Sequence, residues 1–221
     1  MSELKVVAVD GPAGAGKSTI SKLVAGRLGY TYIDTGAMYR AVALKVLESK
    51  LPLEDEEIMI AARDVDIDLR NEDGVNKTYL DGRDVSTEIR TLEVSRSVSK
   101  VAAVGFVRER LTELQRAMAK RGGVIMDGRD IGTVVLPDAD VKIFLTASVA
   151  ERARRRYDEL KAKGLDVELG SIERDIAARD KLDSEREIAP LKQADDAILI
   201  DSTSMTIEEV ADKMIELINR G

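Results

Sequence analysis

Residues 7–19 read VAVDGPAGAGKST, and the stretch from Gly11 to Ser18 satisfies G-x-x-x-x-G-K-[ST] at every fixed position. A Val-rich run precedes it and helically spaced Ile20, Leu23, Val24 and Leu28 follow, so the chain is committed here to strand, loop and helix. Glycines let backbone N–H groups converge on phosphate oxygens, and the positive end of the following helix adds to them. Lys17 then reaches the β- and γ-phosphates, and the Ser18 hydroxyl is a ligand for Mg²⁺. Gly11, Pro12, Ala13, Gly14, Ala15, Gly16, Lys17, Ser18 and Thr19 therefore read as a nucleoside triphosphate site. A dinucleotide fingerprint G-x-G-x-x-G beginning at Gly14 fails, because Thr19 stands where the third glycine belongs. A guanine-reading Asn-Lys-x-Asp motif is also missing: Asn76-Lys77 is followed by Thr78 and Tyr79.

The phosphate loop alone does not choose a reaction, and composition narrows the field. A formal net charge of −7 and the absence of Trp argue against a general nucleic-acid binder. With no His and no Cys, a Ser-His-Asp triad, a His-ligated zinc and a disulfide framework are all excluded. The apolar run at the N-terminus is too short for a signal peptide, and no segment approaches the ~18 apolar residues of a membrane span. These features point to a cytoplasmic protein without a membrane partner, and the lack of an apolar surface stripe points to a monomer.

Along the chain, short apolar runs alternate with amphipathic stretches. Strands are expected at 4–10, in YTYID, at 124–128, at 141–145 and at 197–201, and helices at 17–28 and from about Ala37 to Ser49. Capping boxes at Ser148–Glu151 and Thr206–Glu209 start two more helices. The fold class is α/β: a phosphate-loop NTPase core with a five-stranded parallel sheet flanked by helices. VDIDLRNEDGVNKTYLDGRDV, residues 65–85, breaks the rhythm by alternating around an Asp73-Gly74 turn, which predicts a small antiparallel β insertion.

Four clusters combine arginine with acidic residues near strand ends. DTGAMYR holds Asp34, Thr35, Tyr39 and Arg40, and MDGRDIGT holds Asp127, Arg129 and Asp130. ERARRRY holds Arg152, Arg154, Arg155 and Arg156, and RDKLDSER holds Arg179, Asp180, Asp183 and Arg186. Each has a plain structural alternative: helix caps for Asp34 and Asp127, ion pairs for Arg129 and Arg186, and a solvated i,i+4 face for the Arg-rich helix. Phosphoryl transfer needs cations on both sides of the transferred group, and a phosphate loop with separate arginine clusters suits two phosphorylated ligands meeting head to head. A kinase with a phosphorylated acceptor accounts for this better than a non-catalytic nucleotide switch.

GPAGAGKST, DTGAMYRA, DGRDIGTVV, KIFL, and RDKLDSER with APL after it resemble the bacterial cytidylate kinases in order across the whole chain. The resemblance implies a single kinase domain over 1–221, with a monophosphate-binding lobe at 36–105 and a short helical lid at 151–168. It implies ATP-dependent phosphorylation of CMP and dCMP in pyrimidine nucleotide salvage, with Mg²⁺, rather than action on uridylate, adenylate or a small metabolite. Carried over, Arg40, Arg129 and Arg186 would hold the acceptor phosphate, with Thr35 and Tyr39 beside it; many relatives have Ser where this chain has Thr35. Asp183 would bond the sugar hydroxyls, and Ser99, Arg108 and Asp130 would read the base. Arg110 fits the same helix as Arg108, one face apart. Lys17, Arg129, Arg155 and Arg156 would serve catalysis, and Asp34 and Asp127 would join Ser18 in holding Mg²⁺ through water.

Overall fold

In the computed structural model, which describes residues 4–50, 52–72 and 74–220, β1 (Val6–Asp10) is buried from Val7 onward. It is followed by α1 (Lys17–Leu28), β2 (Thr31–Asp34), α2 (Thr35–Ser49), α3 (Asp55–Arg63), β3 (Ile67–Glu72), β4 (Val75–Leu80) and β5 (Arg83–Asp84). Then come α4 (Leu92–Ala103), α5 (Gly105–Ala119), β6 (Val124–Gly128), β7 (Val141–Thr146), α6 (Val149–Ala162), α7 (Leu169–Glu185), β8 (Ile198–Asp201) and α8 (Ile207–Arg220).

Residues 4–32 and 121–220 form one unit built on a five-stranded parallel sheet of order β2-β6-β1-β7-β8. Helices cover both faces, so the central strands read as continuous apolar runs rather than alternating ones. Val7, Val9, Ile125, Ile143, Leu145 and Ile200 meet Ile20, Val24, Val210, Met214 and Ile218 of α1 and α8 in its core. Each such side chain contributes roughly 1.5–3 kcal/mol by leaving water. Register matters for the site: Asp10 lies opposite Gly128, so the loop after β1 and the turn after β6 leave the sheet side by side. Such crevices beyond strand C-termini are where open α/β sheets bind ligands.

Residues 33–120 form a second unit with its own core. Met38, Val42 and Val46 of α2 are fully buried among Ile58, Ile67, Leu80, Ile89, Val101 and Leu111. The expected antiparallel insertion is present: β3 pairs with β4 from Ile67↔Leu80 to Glu72↔Val75, and β4 with the short β5. Of its Asp73-Gly74 turn, Gly74 has φ of 80° while Asp73 lies outside the described residues.

Five boundaries move from their expected positions: β2 starts at Thr31 rather than Tyr30, β7 runs on to Thr146 past Leu145, and three others have a visible cause. The first strand begins at Val6 rather than Leu4, whose side chain is exposed. The last begins at Ile198 rather than Ala197, whose N–H is engaged in a turn with the Ala194 carbonyl. α2 starts at Thr35 instead of Ala37, because the Asp34 carboxylate accepts the Ala37 N–H at 2.9 Å and caps the helix two residues earlier.

Candidate active site

The phosphate loop closes over backbone that tolerates no side chain at its first position. Gly11 has φ of 147°, and a Cβ there would sit 1.9 Å from the Leu145 carbonyl oxygen of β7. At the other end Gly16 caps α1 in a left-handed conformation, aiming the first N–H groups of the helix into the loop. The buried Lys17 ammonium folds back over the loop and donates to the carbonyls of Gly11 and Pro12 at 2.7 and 2.8 Å. Burial first, then the Arg129 and Arg179 charges, push its pKa down to about 7, against the opposing pull of Asp127 and Asp10. A phosphate in the loop would add negative charge beside this amine and favour its protonated form.

Ser18 Oγ donates to Asp127 Oδ2 at 2.8 Å, and Tyr32 OH donates to Oδ1 at 2.9 Å. A hydroxyl and a carboxylate at the mouth of a phosphate loop are hard oxygen donors of the kind Mg²⁺ prefers. Among the described residues no cluster of three or more acidic groups forms a metal cage. The remaining metal candidate, Asp34, belongs to the 33–120 unit and spends its Oδ1 on the α2 cap.

Beyond β6 the sheet unit assembles two ion pairs from residues distant in sequence. Arg129 Nε donates to Asp183 Oδ2 at 2.8 Å, and Arg186 Nη2 donates to Asp130 Oδ1 at 3.4 Å, with Arg186 Nε on the Ala189 carbonyl at 2.6 Å. Asp130 and Asp183 are both buried. The backbone after Asp130 makes one π-helical turn, Ile131–Val135, in which Val134 and Val135 both donate to the Asp130 carbonyl. Such turns are uncommon and concentrate at functional sites.

The Arg-rich helix α6 divides its arginines by face. Arg155 turns inward: it donates to Glu151 Oε1 at 2.9 Å and to the Ser202 carbonyl at 2.7 Å, and its Nη1 lies 3.9 Å from where a Cβ on Gly16 would sit. Arg156 pairs with Glu159 at 2.7 Å and Arg154 with Glu151 at 2.8 Å, both as i,i+3 surface pairs. Arg152 is buried, with Nε on the Ala147 carbonyl and Nη1 on the Ala13 carbonyl of the phosphate loop.

In the 33–120 unit, Thr35 and Tyr39 are buried on the first turns of α2, and Arg40 Nη1 donates to Ser95 Oγ at 2.7 Å. Ser99 is half-buried on α4. Arg108 and Arg110 separate cleanly. Arg108 is buried, donates to the Ala102 carbonyl at 2.9 Å and lies 5.5 Å from the Tyr39 ring centroid. Arg110 is only half-buried, with its guanidinium Nη1 3.7 Å from Glu113.

The sequence offers no pointer to Ser95 and only a faint one to Asp10, and it places Arg152 and Asp180 in arginine clusters without giving either a role. Asp10 is 4% exposed and accepts the N–H groups of Ile131 and Gly132 at 2.8 and 2.7 Å. Its only signal in the sequence is a carboxylate ending an otherwise apolar buried strand.

The family model described as cytidylate kinase matches residues 7–220. A cytidylate kinase from Lactobacillus johnsonii is 53% identical over 221 residues, covering 100% of this chain and 96% of the relative. One from Desulfitobacterium hafniense is 55% identical over 214 residues, covering 96% and 92%. Among solved structures, shikimate kinase from Bacteroides thetaiotaomicron superposes with a TM-score of 0.51 at 12% identity, covering 98% of this chain and 99% of the other. That likeness concerns the fold alone.

Proposed function

The chain belongs to the cytidylate kinase family, and from that premise we propose that it transfers the γ-phosphoryl group of ATP to CMP and dCMP, yielding ADP with CDP or dCDP. It does so as a cytoplasmic monomer in pyrimidine nucleotide salvage. One observation carries the reading: the phosphate loop and the Arg129–Asp130 turn leave neighbouring parallel strands at one edge, Asp10 opposite Gly128. A donor phosphate cradle thus adjoins a cationic turn suited to a second phosphate.

The chemistry requires no covalent intermediate, because positioning and electrostatics supply the rate. Loop N–H groups and the Lys17 ammonium hold the donor phosphates, and Arg155 and Arg156 neutralise charge on the moving phosphoryl group. Ser18, with Asp127 and Asp34 through water, would hold Mg²⁺, which would supply charge neutralisation at the donor phosphates. The family resemblance assigns Arg40, Arg129 and Arg186 to the acceptor phosphate with Thr35 and Tyr39 beside it, Asp183 to the sugar, and Ser99, Arg108 and Asp130 to the base. The polarity of the last two suits cytosine. A carboxylate only accepts, matching the cytosine N4 amine and opposing the O4 of uracil, while a guanidinium only donates, matching cytosine N3 and O2.

The test is a coupled ADP-release assay over a panel of nucleoside monophosphates. CMP and dCMP are expected to exceed UMP, AMP and GMP in kcat/KM by about 100-fold or more, since a mismatched base leaves buried partners unpaired. A preference for UMP or AMP overturns the reading.

A further inference from the structure

We propose that Asp10 is a positioning residue for acceptor recognition: by accepting the N–H groups of Ile131 and Gly132, it holds in one conformation the turn that presents Arg129 and Asp130. The inference rests on the acceptor-site reading of those two residues.

Both carboxylate oxygens are engaged, Oδ1 by Ile131 N at 2.8 Å and Oδ2 by Gly132 N at 2.7 Å. These are leading N–H groups of a short π-helical turn, which has no carbonyl of its own to offer them. A carboxylate is the one side chain of this size that accepts at two positions and donates at none; asparagine accepts at one and would present N–H to N–H at the other. The turn is also seated too closely to settle elsewhere. A Cβ on Gly132 would stand 3.4 Å from Asp10 Oδ2 and 3.2 Å from Lys142 Cδ, and the Lys142 amine is drawn away to Asp196 at 2.7 Å.

An ordinary helix cap would sit at the surface. Asp10 is 4% exposed, and burial pushes its pKa up to about 6, with Asp130 adding to the rise and the two N–H bonds and Lys17 opposing it. A carboxylate retained at that cost, directly before the phosphate loop and beneath the acceptor turn, serves geometry at the site.

The experiment compares Asp10→Asn, Asp130→Asn and the unaltered chain, with KM for CMP, KM for ATP and the CMP:UMP ratio of kcat/KM measured for each. Asp10→Asn is expected to raise KM for CMP at least fivefold and lower the CMP:UMP ratio at least fivefold, with KM for ATP changing less than threefold. A folded Asp10→Asn enzyme with a smaller rise in KM for CMP overturns the proposal, and so does an equal rise in KM for ATP, which would report general loosening. An unchanged CMP:UMP ratio in Asp130→Asn sinks the base reading instead, and Asp10 is then judged on KM for CMP alone, through Arg129. Should circular dichroism show Asp10→Asn unfolded, Gly132→Ala decides, since it keeps the carboxylate and crowds it, the added Cβ standing 3.4 Å from Asp10 Oδ2. A rise of threefold or more in KM for CMP then supports the proposal, and a smaller one overturns it.

Discussion

Arg152 and Asp180 face each other as a two-bond pair, the guanidinium donating from Nη1 and Nη2 to Oδ1 and Oδ2 at 3.0 and 2.6 Å. The same Nη1 reaches the Ala13 carbonyl at 3.0 Å, so one side chain that is 4% exposed joins α6 and α7 to the phosphate loop. Truncating one member of a buried pair strands the other charge and usually costs several kcal/mol. Arg152→Ala should therefore lose about 2–4 kcal/mol in urea unfolding and raise KM for ATP, because Ala13 is released. The double variant Arg152→Met with Asp180→Leu should recover part of that stability, the unpaired Ala13 and Ala147 carbonyls keeping it below the native value. An Arg152→Ala midpoint equal to the native one would remove this pair from the structural account.

Lys17→Ala should cripple turnover without unfolding the protein. A phosphate-clamping cation contributes about 3–4 kcal/mol to the transition state, so kcat/KM should drop by about 10²–10³. Stability should move little, because losing two hydrogen bonds to carbonyls is offset by relieving a buried amine whose pKa lies near 7. We expect Tm within about 3 °C of native, equivalent to about 1 kcal/mol. Near-normal turnover would overturn the phosphate-loop assignment.

Arg155→Ala and Arg156→Ala should both lower kcat more than they raise KM for CMP, since groups serving the transition state alone act on kcat. Arg155 should show the larger loss: it lies against the phosphate loop, whereas Arg156 leaves a surface pair with Glu159, of a kind worth little to stability. Normal kcat in both variants would return α6 to the role of a solvated face.

Asp10 should leave a mark on the pH dependence of stability. Its native pKa of about 6 lies above the ordinary 3.8, so between those values the folded protein holds a proton that the unfolded chain has released. The native state is therefore favoured as pH falls through that window, and the burial cost applies in full above it. Relative to Asp10→Asn, the native protein should gain about 2 kcal/mol between pH 7 and pH 4 in urea unfolding. Parallel stability curves would show that Asp10 titrates as an exposed carboxylate does.

Much of this molecule was determined by residues within a few positions of one another. The loop from Gly11 to Ser18, the buried runs of β1, β6 and β7, the helix caps at Ser148 and Thr206 and the alternation through residues 67–80 are local patterns set by backbone sterics and burial, and they appear within a residue or two of where the sequence puts them. Of the two expected capping boxes, that at Thr206 is reciprocal, whereas the Ser148 N–H donates to Thr203 instead of Glu151. Tertiary structure decided what those patterns meet. Arg108 and Arg110 are two residues apart and so point to nearly opposite sides of α5; only the packing of that helix buries one beside Tyr39 and leaves the other near Glu113. Arg129 finds Asp183, Arg152 finds Asp180, and Asp10 finds the Ile131 and Gly132 amides 121 and 122 residues away. Propensity reaches about one helical turn along the chain, whereas these partners are selected by strand order and by the register that sets Asp10 against Gly128.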